Sequence, residues 1–173
     1  MRTDTDKRSI VEKAMAKQRE NNKVRSLPHV NDEEKEFMDS RNSLIQDLDA
    51  VIRRYVRIRD ADENGLVKCY CCTTKKHFTL MQCAHYISRK HIGLRFDHKR
   101  NLRTCCKHCN EDLDGNLEVY KLELNKEQKG LPEELEEQSR LVEKPTNDEL
   151  KSLLIEMRAK LKIVESKLKN IKK

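Results

Sequence analysis

The residues most able to do chemistry in this chain are crowded together. All seven cysteines (Cys69, Cys71, Cys72, Cys83, Cys105, Cys106 and Cys109) fall within 41 of its 173 residues, and five of its six histidines lie in the same window. Clustered thiols and imidazoles, in a chain whose start MRTDTDKRSI has no apolar leader, read as a metal site in a reducing compartment rather than a disulfide framework. Cys69-Tyr70-Cys71-Cys72 and Cys106-Lys107-His108-Cys109 each contain a C-x-x-C. Four thiolates at this spacing make a tetrahedral zinc site with no open position, which is structural rather than catalytic. Cys69, Cys72, Cys106 and Cys109 keep the knuckle spacing in both pairs. The adjacent pairs Cys71/Cys72 and Cys105/Cys106 also allow a shifted register, and Cys105 with His108 is a rival C-x-x-H pair. In the preferred register Cys71, Cys83 and Cys105 are spare or small buried thiols.

Between the knuckles runs Phe78-Thr79-Leu80-Met81-Gln82-Cys83-Ala84-His85-Tyr86, a β-compatible stretch that ends near a histidine. Leu94-Arg95-Phe96, Asn101-Leu102, the second knuckle and Asn110 follow. A strand ending in His, a loop, a second strand with Asn, and a helix opening at an oxygen-bearing side chain is the order of a ββα-metal nuclease site. Phosphodiester hydrolysis needs a base for water, and neutral imidazole suits that near neutral pH. It also needs a divalent cation to offset charge on the phosphate, for which Asn and Asp supply hard oxygen ligands. His85 is the candidate base. His91 and His98 have no assigned chemistry beyond a surface or phosphate contact.

The remaining chain must hold this window in place. Only 36% of it is hydrophobic and 4% aromatic, with no Trp, so a thin apolar core needs the help that zinc binding supplies. Four Gly and three Pro argue against a many-turned β sandwich, and no run is long and apolar enough for a membrane span. The expected fold class is α+β, mainly helical, with a small zinc-stapled ββα core between long flanking helices. Asn31 and Asp32 offer caps for a helix over about 32–59, whose apolar face is Leu44, Leu48, Val51, Tyr55 and Ile58. Thr146 and Glu149 form a capping-box pattern before Leu150, Leu154, Met157, Leu161, Val164, Leu168 and Ile171, a 4-3-4-3-4-3 repeat. That seam suits either the first helix of the same chain or a homodimer.

Charge is as uneven as cysteine. The formal net charge is +7, yet residues 69–110 alone hold nine basic residues against one acidic, while 111–150 hold five against thirteen. Positive charge concentrated on the metal window is the footprint of a phosphate-binding face. Arg89, Lys90, Arg95, Lys99, Arg100, Arg103 and Lys107 are the candidate DNA contacts. The expected layout is a basic arm over 1–30, a packing helix over 31–66, the nuclease core over 67–125, an acidic linker with a short helix over 126–145, and the amphipathic C-terminal helix over 146–173.

The pieces C-Y-C-C, A-H-Y, L-R-F-D, R-N-L, C-K-H-C-N and G-N-L-E-V-Y-K-L-E-L, together with the junction Ile58-Arg59-Asp60-Ala61-Asp62, resemble the phage NinG (Rap) family of recombination endonucleases. That family is similar in turn to the HNH, or His-Me finger, nucleases. The resemblance implies structure-selective cleavage of branched DNA of Holliday-junction or D-loop type. It further implies structural Zn2+, catalytic Mg2+ or Mn2+, phage or host recombination proteins as partners, and a place in the bacterial cytoplasm. Within it, His85 matches the general base, Asn101 the residue that positions the histidine loop, and Asn110 a ligand of the catalytic metal. Many HNH nucleases carry Asp just before the base, where this chain has Ala84, so Asp97 or Asp112 is expected to supply the missing carboxylate. The rival is a non-catalytic zinc-binding module that only binds DNA. A third reading is an interaction protein built on the C-terminal heptads.

Overall fold

The structure is a computed structural model that describes residues 32–141 and 144–171. The basic arm expected over 1–30 lies outside the described residues. The chain divides into two units, residues 1–40 and 41–173, and every feature below belongs to the second unless a helix begins before it.

Helix α1 spans Asp32–Arg59. A short antiparallel hairpin follows, β1 (Leu66–Lys68) and β2 (Lys75–His77), with the first cysteine knuckle at its tip. After a single 3-10 turn comes β3 (Gln82–His85), then the one-turn helix α2 (Ile92–Arg95) and β4 (Leu102–Cys105). Strands β3 and β4 pair antiparallel, with His85 opposite Leu102 and Gln82 opposite Cys105. The second knuckle leads into a π-helical turn over His108–Asp112, then α3 (Leu117–Glu127), α4 (Leu131–Gln138) and α5 (Asn147–Ile171). The architecture is therefore α+β and mainly helical, with two small antiparallel sheets.

Two apolar clusters hold it. In one, Leu48, Ile52 and Val56 of α1 pack on Leu150, Leu154 and Met157 of α5, with Phe96 and Leu102 below. The deepest line on α1 runs at a spacing of four, and Leu44, Val51 and Tyr55 flank it half-buried. The expected face is thus rotated slightly, because α1 is covered by α5 on one side and by the β4 region on the other. The C-terminal seam is spent within the chain over its first half, and Arg158 reaches Asp47 across the two helices at 3.1 Å. The capping box forms as expected: Thr146 Oγ1 accepts from Glu149 N at 3.2 Å, and Glu149 Oε2 accepts from Thr146 N at 2.7 Å.

The second cluster gathers the knuckles, the strands and the acidic segment. Tyr120 of α3 is fully buried under the sheet and donates to the Asn101 carbonyl at 3.2 Å. The acidic segment over 126–145, expected to hold a linker and a short helix, contains helix. It holds the end of α3 and all of α4, which opens at Gly130 (φ 84°) with Leu131-Pro132 in its first turn. Leu131 and Leu135 bury one turn apart, too short a repeat for periodicity to reveal.

The junction motif after α1 fixes that helix to the sheet. Asp60 Oδ2 accepts from Thr104 N and Oγ1 at 3.1 and 2.8 Å, and Arg59 donates to the Leu102 carbonyl at 3.3 Å. These bonds decide which α1 residues overlook β3.

Candidate active site and metal centre

The hairpin tip and the start of the π-helical turn bring Cys69, Cys72, Cys106 and Cys109 together, with all four sulfurs within 4.8 Å of one another. Cys72 Sγ and Cys106 Sγ are 3.7 Å apart, close to the edge of about 3.8 Å that a tetrahedron with Zn–S bonds near 2.3 Å requires. Backbone N–H groups aim at the sulfurs, Cys106 N at Cys69 Sγ (3.2 Å) and Cys109 N at Cys106 Sγ (3.4 Å). Such donors favour thiolate over thiol. Donor type, spacing and charge support all fit, so these four could hold a metal such as zinc. The rival ligand His108 stands exposed and pairs with Asp112 at 3.0 Å instead. Cys71 and Cys105 face each other beside the cluster, sulfurs 3.7 Å apart.

On the other side of the same turn lies an open groove of about 740 Å³. His85 lines it from the end of β3, Asn110, Glu111 and Asp114 from the π-helical turn and its exit, Arg89 from the loop after β3, and Arg53 and Arg57 from α1. His85 Nε2 lies 3.1 Å from the Arg95 carbonyl. A carbonyl only accepts, so Nε2 carries the proton and Nδ1 is the ring's basic atom. Burial pushes the His85 pKa down to about 4, the Arg95 carbonyl opposes the drop, and the positive Arg89 adds to it. The ring is therefore neutral at physiological pH. Cys83, also on the groove, is no rival nucleophile: burial pushes its thiol up to about 12.

Asn101 is fully buried and has no access to the groove floor. Its Oδ1 accepts from Ile87 N at 2.7 Å, and its Nδ2 donates to the Leu94 and Ile87 carbonyls at 2.9 and 3.1 Å. One side chain thus ties the loop that leaves His85 to the helix whose last carbonyl holds the ring. Asn101 fixes the loop next to His85 and does not itself line the groove.

Asn110 donates to Gln82 Oε1 at 2.7 Å, and Gln82 in turn donates to Glu111. This amide orientation leaves Asn110 Oδ1 as the atom available to a cation. The carboxylates near it are Glu111 and Asp114, not the two expected from the sequence. Asp97 is turned to Arg100, accepting at 2.7 Å, and does not line the groove. Asp112 pairs with His108, because two residues on along a helical turn faces away from Asn110. Asp114, Gly115 and Asn116 all adopt left-handed backbone (φ 47°, 90° and 48°), which swings the chain from the turn into α3 beside the groove. Two non-glycine residues in that region store strain of the kind that gathers at functional sites.

The seven cationic candidates separate. Arg89 lines the groove. Arg95 is bound to Asp49, at 3.1 Å through Nε, and holds the α2 region to α1. Burial raises the Asp49 carboxyl, but the Arg95 guanidinium outweighs this and holds it below its usual range. Arg100 is paired with Asp97 and Gln138, and Arg103 binds Glu127 and lies over the Tyr70 ring at 5.5 Å. Lys107 reaches Glu111 at 3.8 Å, and Lys90 and Lys99 are exposed. The arginines thus serve the fold more than a surface. Conversely, Arg53 and Arg57 escaped notice in a segment of net negative charge, although their i, i+4 spacing places both on one helix face. Arg57 is held by the Met81 and Arg53 carbonyls, each at 3.1 Å. Gln82 and Ser88, equally unforeseen, line the groove as well.

Comparison with protein-family models gave a match to the bacteriophage Lambda NinG protein family over residues 1–167. Comparison with curated proteins and with solved structures gave no match.

Proposed function

The chain belongs to the bacteriophage lambda NinG family, and from that membership and the groove geometry we propose that it is a metal-dependent endodeoxyribonuclease acting on branched recombination intermediates. The observation that carries the reading is the His85 ring: neutral, fixed in one tautomer by the Arg95 carbonyl, and placed on an open groove that also holds oxygen ligands and three arginines. Nδ1 takes the proton from an attacking water. Arg53, Arg57 and Arg89 bind the phosphodiester, and the anchored Arg57 does so without reorganising. Asn110 and Glu111, with Asp114 close by, are the residues that would hold magnesium or manganese. A divalent cation there would offset charge on the scissile phosphate and on the leaving oxygen. Glu111 then answers for the acidic residue missing at Ala84. The sulfur cluster, closed to substrate, holds zinc for the fold.

Substitution His85→Ala tests this against a DNA-binding module without catalysis. Cleavage of branched DNA with magnesium is expected to fall by about 10²–10⁴-fold, the usual worth of a positioned base, while zinc content and DNA affinity stay near wild type. Unchanged cutting by the variant refutes the base. A wild type that binds DNA but cuts no linear or branched substrate supports the binding module.

A further inference from the structure

The loop after β3 lines two concavities, not one. Ser88 and Arg89 face the His85 groove, whereas the next two residues, Lys90 and His91, line a second groove of about 350 Å³. Between them the chain makes a tight turn, His91 N donating to the Ser88 carbonyl at 3.0 Å and Lys90 N approaching Ser88 Oγ at 3.4 Å. The far wall of the second groove comes from the end of α4 and the segment after it, including Gln138, Leu141 and Lys144.

The chemistry of the two grooves differs. The first has a base and two carboxylates beside its arginines. Among the described residues the second is lined by Lys90, Arg100 and Lys144 and by no carboxylate. Arg100 is held in place there by Asp97 and Gln138. Leu141, 59% exposed, adds an apolar contact among the cations. Cations around a concavity whose described lining offers no carboxylate to a metal ion favour a polyanion backbone that is held and not cut. Whatever fills both grooves is parted by the turn at 88–91.

We propose that the second groove is a DNA-backbone site for the strand or arm that is not cleaved, and that the Ser88–His91 turn stands between the two arms of forked DNA. The proposal rests on the nuclease reading for which arm is cut, but not for the binding itself. Its source of selectivity is geometric: linear duplex fills one groove, and a fork fills both.

The test is equilibrium binding of the full chain with calcium in place of magnesium, using forked and linear duplexes of equal length and sequence composition. Wild type is expected to bind the fork more tightly. In Lys90→Ala/Lys144→Ala the ratio of fork to linear affinity should fall toward one. The slope of log K against log salt for the fork should also shrink by about 1.8, from two lost phosphate contacts at about 0.9 each. A wild type without fork preference, a double variant that keeps it, or one that weakens both DNAs equally overturns the proposal. Both lysines are exposed, so the variant is expected to fold, and far-UV circular dichroism confirms that. Cleavage with magnesium is scored separately. A protein that separates forks in this way yet cuts nothing loses the nuclease reading and keeps the second groove.

Discussion

Cys109 and Asn110 are neighbours in sequence and look into opposite regions. Cys109 faces a cluster of four mutually close sulfurs, of which those of Cys69 and Cys106 accept backbone N–H groups; Asn110 faces an open groove bordered by charge. Four soft ligands that close on one another leave no position for substrate, so that side can supply only stability. The groove, in contrast, is open and lined by the His85 ring, amide side chains and carboxylates. One helical turn thus braces the molecule with one face and presents chemistry with the other. The turn that carries Cys109 into the cluster also carries Asn110 and Glu111 to the groove.

The largest effect should come from breaking the closed side. Cys106→Ser removes a sulfur that both holds the cluster and receives the Cys109 N–H. Structural zinc sites contribute on the order of 10 kcal/mol of folding free energy. The variant is therefore expected to lose stoichiometric zinc and the cooperative melt of the cluster that includes Tyr120 and Leu124. Groove function should vanish with it. Atomic absorption and a thermal melt, with and without a strong chelator, measure both. A variant that melts like wild type would show that the sulfurs brace nothing.

A smaller effect tests the link between the regions. Asn101→Ala deletes three hydrogen bonds and takes the partner from the Ile87 N–H and the Ile87 carbonyl, while the Leu94 carbonyl keeps the Asp97 N–H at 3.1 Å. Unsatisfied buried groups cost roughly 1–3 kcal/mol each, so a loss of about 3 kcal/mol is expected in a denaturant titration. Zinc should stay bound. Because Asn101 acts through His85, kcat should drop while KM for DNA hardly moves. A matching rise in KM would mean that the residue supports DNA binding instead.

What the sequence showed and what it hid follow the same division. The sulfur site was legible because two knuckles carry their own spacing, and the long helices because their apolar repeats run for many turns. The position of Asn101 came through the order of strand, loop and strand. The groove carboxylates did not come through: Asp97 and Asp112 were expected, but Asp97 is turned to Arg100 and a turn of unusual pitch brings Glu111 and Asp114 to the groove. Arginine roles were equally hidden, since counting charge along a segment cannot tell Arg95, spent on Asp49, from Arg57, which α1 delivers from outside the cysteine window. The bounds of helix α4 inside the acidic segment were not legible, because only two leucines mark it.

The smallest expected effect is a matter of protons. With neutral His85 as the proposed base, kcat/KM, which reports the free protein, should be flat across neutral pH and fall only as pH drops through about 4. An exposed histidine would lose activity near 6.5 instead. Stability follows the same sign. Between 6.5 and 4 the unfolded chain binds a proton that the folded ring refuses, so folding weakens as pH falls through that window. The sulfur cluster also loses metal in acid, because protons compete for thiolate, and zinc content recorded at each pH separates the two losses. Arg89→Gln sharpens the assignment. It removes a positive neighbour that opposes protonation, and should move the acid limb upward without releasing zinc. A limb that stays put in that variant would place Arg89 too far from the ring to act on it, and would weaken the case that the two share one phosphate.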